Sequence, residues 1–131
     1  VATGLDVYVA DMQNRRIQRL DRRLNFLGLL PEDPDEALFG FPRGIAVSKI
    51  GEIYVSDIEN EEIVKLNTSG QLDVRFGGFS HDQGRLQRPA NIAVGPAGKI
   101  HVADTGNHRI AIFDAVGGYL TEISGQTLNS P

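Results

Sequence analysis

The sequence predicts an all-β fold made of repeated units of short antiparallel strands, and three observations predict it. The stretch "HVADTGNHRIAIFD" at 101–114 has two earlier relatives, "YVADMQNRRIQRLD" and "YVSDIENEEIVKLN". Their aspartates, Asp11, Asp57 and Asp104, are separated by 46 and 47 residues. In each copy, two apolar runs without helical periodicity flank a polar turn. A period in the forties is typical of a repeat array whose units bury their faces against one another.

The third unit shows the elements of one repeat most clearly. Its strands are expected at about 90–94, 99–103, 109–113 and 119–124. They are joined by "GPAG", "DTGNH" and "DAVGG", which contain the Gly, Pro, Asn and Asp residues expected in turns. The first strand, "NIAV", is small and apolar, as an innermost strand should be, and the next two are apolar on both faces. Four such antiparallel strands per unit predict the blade of a β-propeller.

These residues also resemble a known family. The pattern "P..IAV....KIHVADTGNHRIAIFD..GGYL" is similar to the NHL repeat, and "FPRGIAV" at 41–47 matches "RPANIAV" at 88–94. The resemblance implies an incomplete ring of four-stranded blades, part of a six-bladed NHL-type propeller. We therefore expect one partial propeller domain over residues 1–131. Its expected parts are blade 1 at about 1–41 lacking its innermost strand, blade 2 at about 42–88, and blade 3 at about 89–131.

The ends of the chain carry the same register. Val1 aligns with the last residues of the innermost strands, and Pro131 falls where Pro42 and Pro89 open a blade. The chain thus covers a little under three repeats, whereas closed propellers need about four to eight blades. Our hypothesis is that the sequence is a segment of a longer propeller, and the competing hypothesis is that two copies join into one ring.

Composition and charge narrow the function classes. The chain has no cysteine, which excludes disulfides and cysteine-ligated zinc. Its net charge of −4 argues against nucleic acid as the main partner, and the acidic "PEDPDE" at 31–36 follows the five arginines of 15–23. No apolar run is long enough to span a membrane. The compartment stays open, with extracytoplasmic and membrane-peripheral locations both compatible with the sequence.

The repeated turn residues are interpreted as structural. A catalytic group is needed once, whereas a turn is needed in every blade, so the recurring aspartates are expected to accept backbone N–H groups at the hairpin reversal. We expect Asp-to-Arg contacts in the first and third units, but the second has Glu62 where they have arginine. Its local stability is therefore expected to be lower. The predicted structural turn residues are Asp11, Arg16, Asp57, Asp104, Asn107 and Arg109.

No metal, cofactor or catalytic residue is predicted. The acidic turn "DIENEE" lacks the glycine and distal glutamate of an EF-hand loop. Some enzymes similar to this family, the amidating lyases, hold zinc with histidines from several blades. Here His81, His101 and His108 do not recur at one blade level, so a zinc site is not expected. In lactonase-type propellers, Asn and Asp bind a metal near the channel mouth. Asn91 matches that position as a single candidate, while the neighbouring Arg43 would repel a cation.

The leading functional hypothesis is a binding module for a protein partner, as an accessory subunit or fragment of a larger assembly. The other expected partners are the remaining blades of the propeller or a second copy. The alternative is a lactonase- or lyase-like enzyme with a metal at the channel mouth, and the third hypothesis is an RNA-binding propeller. Loops of varied length and composition would carry the binding. The candidate partner-binding residues are Arg43, Glu59, Glu61, His81, Asn91 and His108.

Overall fold

The computed structural model describes residues 6–78 and 84–124 and contains three antiparallel sheets. The first sheet consists of β1 (Asp6–Asp11), β2 (Arg16–Asp21) and β3 (Phe26–Leu30). The second consists of β4 (Pro42–Val47), β5 (Ile53–Asp57), β6 (Glu62–Leu66) and β7 (Leu72–Phe76). The third consists of β8 (Pro89–Val94), β9 (Ile100–Asp104), β10 (Arg109–Phe113) and β11 (Tyr119–Ser124). The predicted all-β fold is confirmed, and we call the sheets blades 1, 2 and 3.

Strands pair with their chain neighbours in every blade, and the register repeats from blade to blade. The third-strand isoleucines pair with the last strands as Ile17 with Leu30, Ile63 with Phe76, and Ile110 with Ile123. Two one-turn 3-10 helices, Met12–Asn14 and Thr105–Asn107, lie in hairpin turns. Within the described ranges, no helix is long and apolar enough to cross a membrane.

Two seams of apolar side chains hold the blades together. The first seam joins blades 1 and 2, and the second joins blades 2 and 3. Every residue of β5 is buried, because blade 2 has a neighbour on each face. The first seam consists of Ile17, Leu30, Leu38, Phe39, Ile53, Val55, Val64 and Leu66. The second consists of Ala46, Tyr54, Ile63, Phe76, Leu86, Ile92, Ile100, Val102, Ala111 and Phe113.

The outer faces of blades 1 and 3 have no neighbour among the described residues. Ile17 and Ile63 are 0% exposed in their seams, whereas the equivalent Ile110 is partly exposed. On blade 1, Val9 is 43% exposed, although its equivalent Val55 is fully buried. Repeat position decides which face of a strand is apolar, and the presence of a neighbouring blade decides how deeply that face is buried.

Candidate functional site

One end of the blades carries most of the polar chemistry. We call it the hairpin face, and it comprises the turns 11–16, 57–62 and 104–109, the segments 31–41 and 84–88 that lead into blades 2 and 3, and the first residues of β4 and β8, where Pro42 pairs with Asp57 and Pro89 with Asp104. The three turns share one backbone conformation, since each includes a left-handed residue with φ between 53° and 57°. These equivalent residues are Arg15, Glu61 and His108. The backbone of the face therefore repeats while its side chains differ.

Asp57 anchors the hairpin turn of blade 2 to the segment that enters the blade. Its carboxylate is fully buried and accepts the backbone N–H groups of Gly40 at 2.7 Å and Phe41 at 3.0 Å. It also accepts the turn N–H groups of Glu59 at 3.2 Å and Asn60 at 3.1 Å. Because these donors surround the carboxylate, Asp57 acts as a structural anchor.

Asp104 has the same place in blade 3 but a different set of donors. It accepts the Gln87 backbone N–H at 2.7 Å, Asn107 Nδ2 at 2.9 Å and Arg109 Nε at 2.7 Å. Burial works against the charge of Arg109, yet its hydrogen bonds to Asp104 and Glu122 raise its pKa above the ordinary value. The buried guanidinium of Arg109 thus meets two carboxylates, which compensate the cost of its burial.

Asp11 in blade 1 accepts side-chain donors only among its described contacts. Gln18 Nε2 lies at 3.1 Å, Asn14 Nδ2 at 3.0 Å and Arg16 Nε at 3.0 Å. These hydrogen bonds, that of Gln18 first, lower the pKa of Asp11 below its usual value. The structure thus forms the Asp-to-Arg contact in blades 1 and 3.

Blade 2 replaces that contact with a pair which the sequence reasoning missed. Glu62 stands at the arginine position, and it lies 2.7 Å from Nη1 of Arg75 on β7. Arg75 Nη2 also donates to the backbone carbonyl of Leu38 at 2.9 Å. An arginine from the next strand therefore pairs with Glu62 in the blade that lacks the Asp-to-Arg contact.

Blades 2 and 3 contain this ion pair with the charges exchanged. In blade 3, Arg109 on β10 holds Glu122 on β11 at 2.9 Å, at the positions where blade 2 has Glu62 and Arg75. Arg109 Nη2 donates to the carbonyl of Arg85 at 2.9 Å, which is the repeat equivalent of the Leu38 carbonyl. Blades 2 and 3 thus each place a guanidinium at the equivalent carbonyl and supply it from different strands.

Contacts between blades occupy two of the predicted binding residues. Glu59 forms a bidentate ion pair with Arg15 of blade 1, at 2.8 and 3.2 Å. The Arg15 guanidinium also lies 4.7 Å above the ring of Phe41. Glu61 accepts the backbone N–H of Arg88 at 3.0 Å. Glu59 thus joins the hairpins of blades 1 and 2, and Glu61 joins the hairpin of blade 2 to the segment that leads into blade 3.

The other predicted binding residues differ in their surroundings. Arg43 and Asn91 are exposed, and each lies at an irregularity near the start of an innermost strand. Beside them, Gly44 packs so closely that an added Cβ would stand 2.5 Å from the Ala90 carbonyl oxygen. His108 is exposed, and His81 lies outside the described residues. Arg43, Asn91 and His108 are therefore exposed, as is Glu59, whose carboxylate is held by Arg15.

Metal-binding chemistry has little support in the described part of the chain. No group of three or more His, Cys, Asp or Glu side chains there could hold a metal ion. His101 is half-buried, with Nδ1 3.2 Å from the Lys99 carbonyl oxygen. The equivalent residue of blade 2, Tyr54, packs in the second seam, whereas His101 lies on the outer face of blade 3.

Lys65, near the opposite end of the second seam, was not singled out from the sequence. Its Nζ is buried, lies 3.2 Å from Glu52, and donates to the Ala115 carbonyl of blade 3 at 2.8 Å. The Tyr54 hydroxyl donates to the same carbonyl at 3.1 Å, and burial raises the pKa of Tyr54. This cluster joins blades 2 and 3 by polar contacts, as does the buried Ser56 hydroxyl, which donates to the Ala90 carbonyl.

The chain is similar to known proteins in sequence and in fold. Residues 86–113 match the family model of the NHL repeat. A streptogramin B lyase structure is similar with a TM-score of 0.72 and 18% identity, covering 95% of this chain and 39% of that one. Hydrazine synthase of Kuenenia stuttgartiensis is similar with a TM-score of 0.74 and 17% identity, over 95% of this chain and 34% of that one. Catalytically inactive virginiamycin B lyase of Staphylococcus aureus with quinupristin is similar with a TM-score of 0.68 and 19% identity, over 93% of this chain and 38% of that one.

These similarities show the fold alone, and the fold is that of β-propeller blades. The chain spans less than two fifths of each of these three structures. No curated protein matches the sequence.

Proposed function

We propose that this chain, a run of β-propeller blades that includes an NHL repeat at residues 86–113, is a binding module that presents its hairpin face to a protein partner. The module would belong to a larger propeller or assembly, as an accessory subunit or a segment of it. The proposal concerns how the polar residues of this face are used.

The observation that carries the proposal is the variation at equivalent positions of the hairpin face. Arg15, Glu61 and His108 have the same left-handed backbone conformation but present a cation, an anion and an imidazole. A turn that served the fold alone would favour glycine or asparagine at such a position. Meanwhile the buried Asp57 and Asp104 are satisfied by donors within the chain. Because Arg15 and Glu61 are used in contacts within the chain, His108 is the varied turn residue that, with Arg43 and Asn91, supplies an exposed surface for recognition.

The accessible polar groups fit a protein surface. Arg43, Asn91 and His108 offer a guanidinium, an amide and an imidazole, which together can donate to carboxylates and carbonyls and accept from N–H groups. Arginine is also enriched at protein interfaces because its planar fork makes several directed hydrogen bonds. We therefore expect a partner that places acidic and backbone carbonyl groups over the hairpin face.

An enzyme is the second candidate function. Two of the similar structures are named as lyases, and Asn91 lies exposed beside the close contact of Gly44 with the next blade. A metal bound through Asn91 would support this alternative, and elemental analysis of purified protein with an Asn91→Ala variant as control tests it. A stoichiometric metal that is lost in the variant would favour the enzyme over the binding module.

RNA binding has less support from the geometry. The guanidinium of Arg15 is held by Glu59, and that of Arg16 by Asp11, so these cations are already neutralised. Phosphate binding requires free cationic groups and falls steeply with salt. Salt-dependent binding of single-stranded RNA by the chain would reverse this judgement.

A capture experiment with matched variants tests the binding module. The immobilised chain is compared with a hairpin-face variant, Arg43→Ser with Asn91→Ser and His108→Ser, in extract of the source organism. A control variant carries Lys49→Ser with Lys99→Ser in exposed turns at the opposite end of blades 2 and 3. We expect a protein retained by the chain and the control and lost by the hairpin-face variant, with unchanged circular dichroism. Equal retention by both variants, or loss only in the control, would contradict the proposal.

A further inference from the structure

Both seams depend on a glycine in the turn between the last two strands of a blade. Gly70 of blade 2 packs on Leu30 of blade 1, and a Cβ added there would stand 2.8 Å from Leu30 Cδ2. Gly117 of blade 3 packs on Phe76 of blade 2, and its added Cβ would stand 2.7 Å from the ring. Both glycines have positive φ, +80° and +95°. Each blade thus presses a side-chain-free turn onto the last outer-strand residue of the blade before it.

Blade 1 has leucine where the other two blades have glycine. Leu24 donates its backbone N–H to the Asp21 carbonyl, as Gly70 and Gly117 donate to Asn67 and Asp114. Its φ is +67°, a conformation that costs a leucine free energy, and its side chain is 67% exposed. A strained residue that fills no space within the chain is a candidate for a contact outside it.

The surrounding surface is a seam that lacks its partner. Val7 and Val9 of β1 occupy the repeat positions of Ile53 and Val55, which are buried in the first seam. Val9 is 43% exposed. Because the same positions of blades 2 and 3 are covered by a blade, the repeat itself identifies the kind of partner that fits this face.

We propose that the open face of blade 1 receives a further four-stranded blade whose outermost strand ends in a small residue. That residue takes the place that Leu30 and Phe76 take in the two seams, and the Leu24 side chain fills the space it leaves. The contact is the reverse of the two observed ones, with the bulky side chain on the turn and the small residue on the strand. The proposal rests on the seams alone and not on a partner at the hairpin face.

A second copy of the chain does not fit this face. Its blade 3 would offer Ile123, which takes the repeat position of Leu30 and Phe76, so that a branched side chain would meet Leu24. The same face of blade 3 has Ile112 where blade 2 has Lys65, and isoleucine cannot donate to a turn carbonyl as Lys65 does. The face therefore selects against head-to-tail pairing of identical chains.

Thiol cross-linking between copies with a bismaleimide tests the inference. Because the chain has no cysteine, a chain with Gln13→Cys and His108→Cys has these two thiols and no others. These positions are the repeat equivalents of Glu59 and Arg15, whose side chains meet at 2.8 Å across the first seam. A bismaleimide bridge between the two thiols covers the span that an arginine and a glutamate side chain cover in the first seam, and it reports that blade 3 of one copy packs on blade 1 of another.

Two variants make the packing possible if the inference is right, and one serves as control. Ile123→Ala supplies the small residue, and Leu24→Gly removes the bulky one; each should raise the yield of cross-linked chains several-fold. Ile110→Ala truncates a neighbour of Ile123 on the same face and should not raise the yield. If neither Ile123→Ala nor Leu24→Gly raises the yield of cross-linked chains, the inference is overturned, whatever the result at the hairpin face.

Discussion

Replacing Ile63 by alanine should destabilise the chain much more than the same replacement at Ile110. The two residues share repeat position, strand and cross-strand pairing, but Ile63 is 0% exposed in the second seam and Ile110 is partly exposed on the outer face of blade 3. Ile63→Ala removes three buried carbons, worth about 2.5 kcal/mol in transfer. The cavity between two rigid sheets raises the cost to about 4 kcal/mol.

At Ile110 the loss should be smaller, about 1 to 2 kcal/mol, because solvent can fill the space on the open side. Urea unfolding followed by far-ultraviolet circular dichroism measures both, at concentrations where the chain is monomeric by light scattering. Equal destabilisation by the two substitutions would refute the argument, since it would mean that the outer face of blade 3 is as enclosed as the second seam.

Three further outcomes are expected from the same structure. Glu62→Arg should lower stability because it sets two guanidinium groups together, and Arg75→Glu added to it should restore much of the loss, as blade 3 already contains that arrangement; urea midpoints of the single and double variants measure this. The hydrogen bond from Arg109 lowers the pKa of Glu122 below 4.5, so its contribution to stability is present above that pH and is lost as the pH falls through the lowered value. The stability difference between the chain and Glu122→Gln should therefore shrink on acidification, and a difference that grows would contradict the assignment. Leu24→Gly should raise stability by about 1 kcal/mol, because glycine adopts the positive φ without strain, and a lower thermal midpoint would show that Leu24 is stabilised by contacts within the chain.

The sequence was sufficient to predict the fold because the repeat makes every signal occur more than once. The intervals between Asp11, Asp57 and Asp104 set the register, and glycine and asparagine mark the same turns in different units. In blade 3, the expected strands agree with β8 to β11 within one residue. Hydrophobic patterning with a repeat period is reliable for this reason.

The Asp-to-Arg contacts within a hairpin were predictable, whereas contacts with the outermost strand or between blades were not. The pairing of Arg75 with Glu62 depends on the register of β6 and β7, which shifts between Lys65 and Leu66. The contact of Arg15 with Glu59 depends on how one blade is staggered against the next. Leu24 is different, because alignment of the repeats places it at the position that Gly70 and Gly117 occupy in the other two blades.

Site-specific photo-cross-linking tests whether the hairpin face meets a protein partner. Benzoylphenylalanine would replace His108 on the hairpin face in one protein and Lys99 at the opposite end in another, both at exposed positions. We expect a covalent adduct with a discrete protein from position 108 and none from position 99. An adduct from position 99 alone, or equal adducts from both, would contradict it.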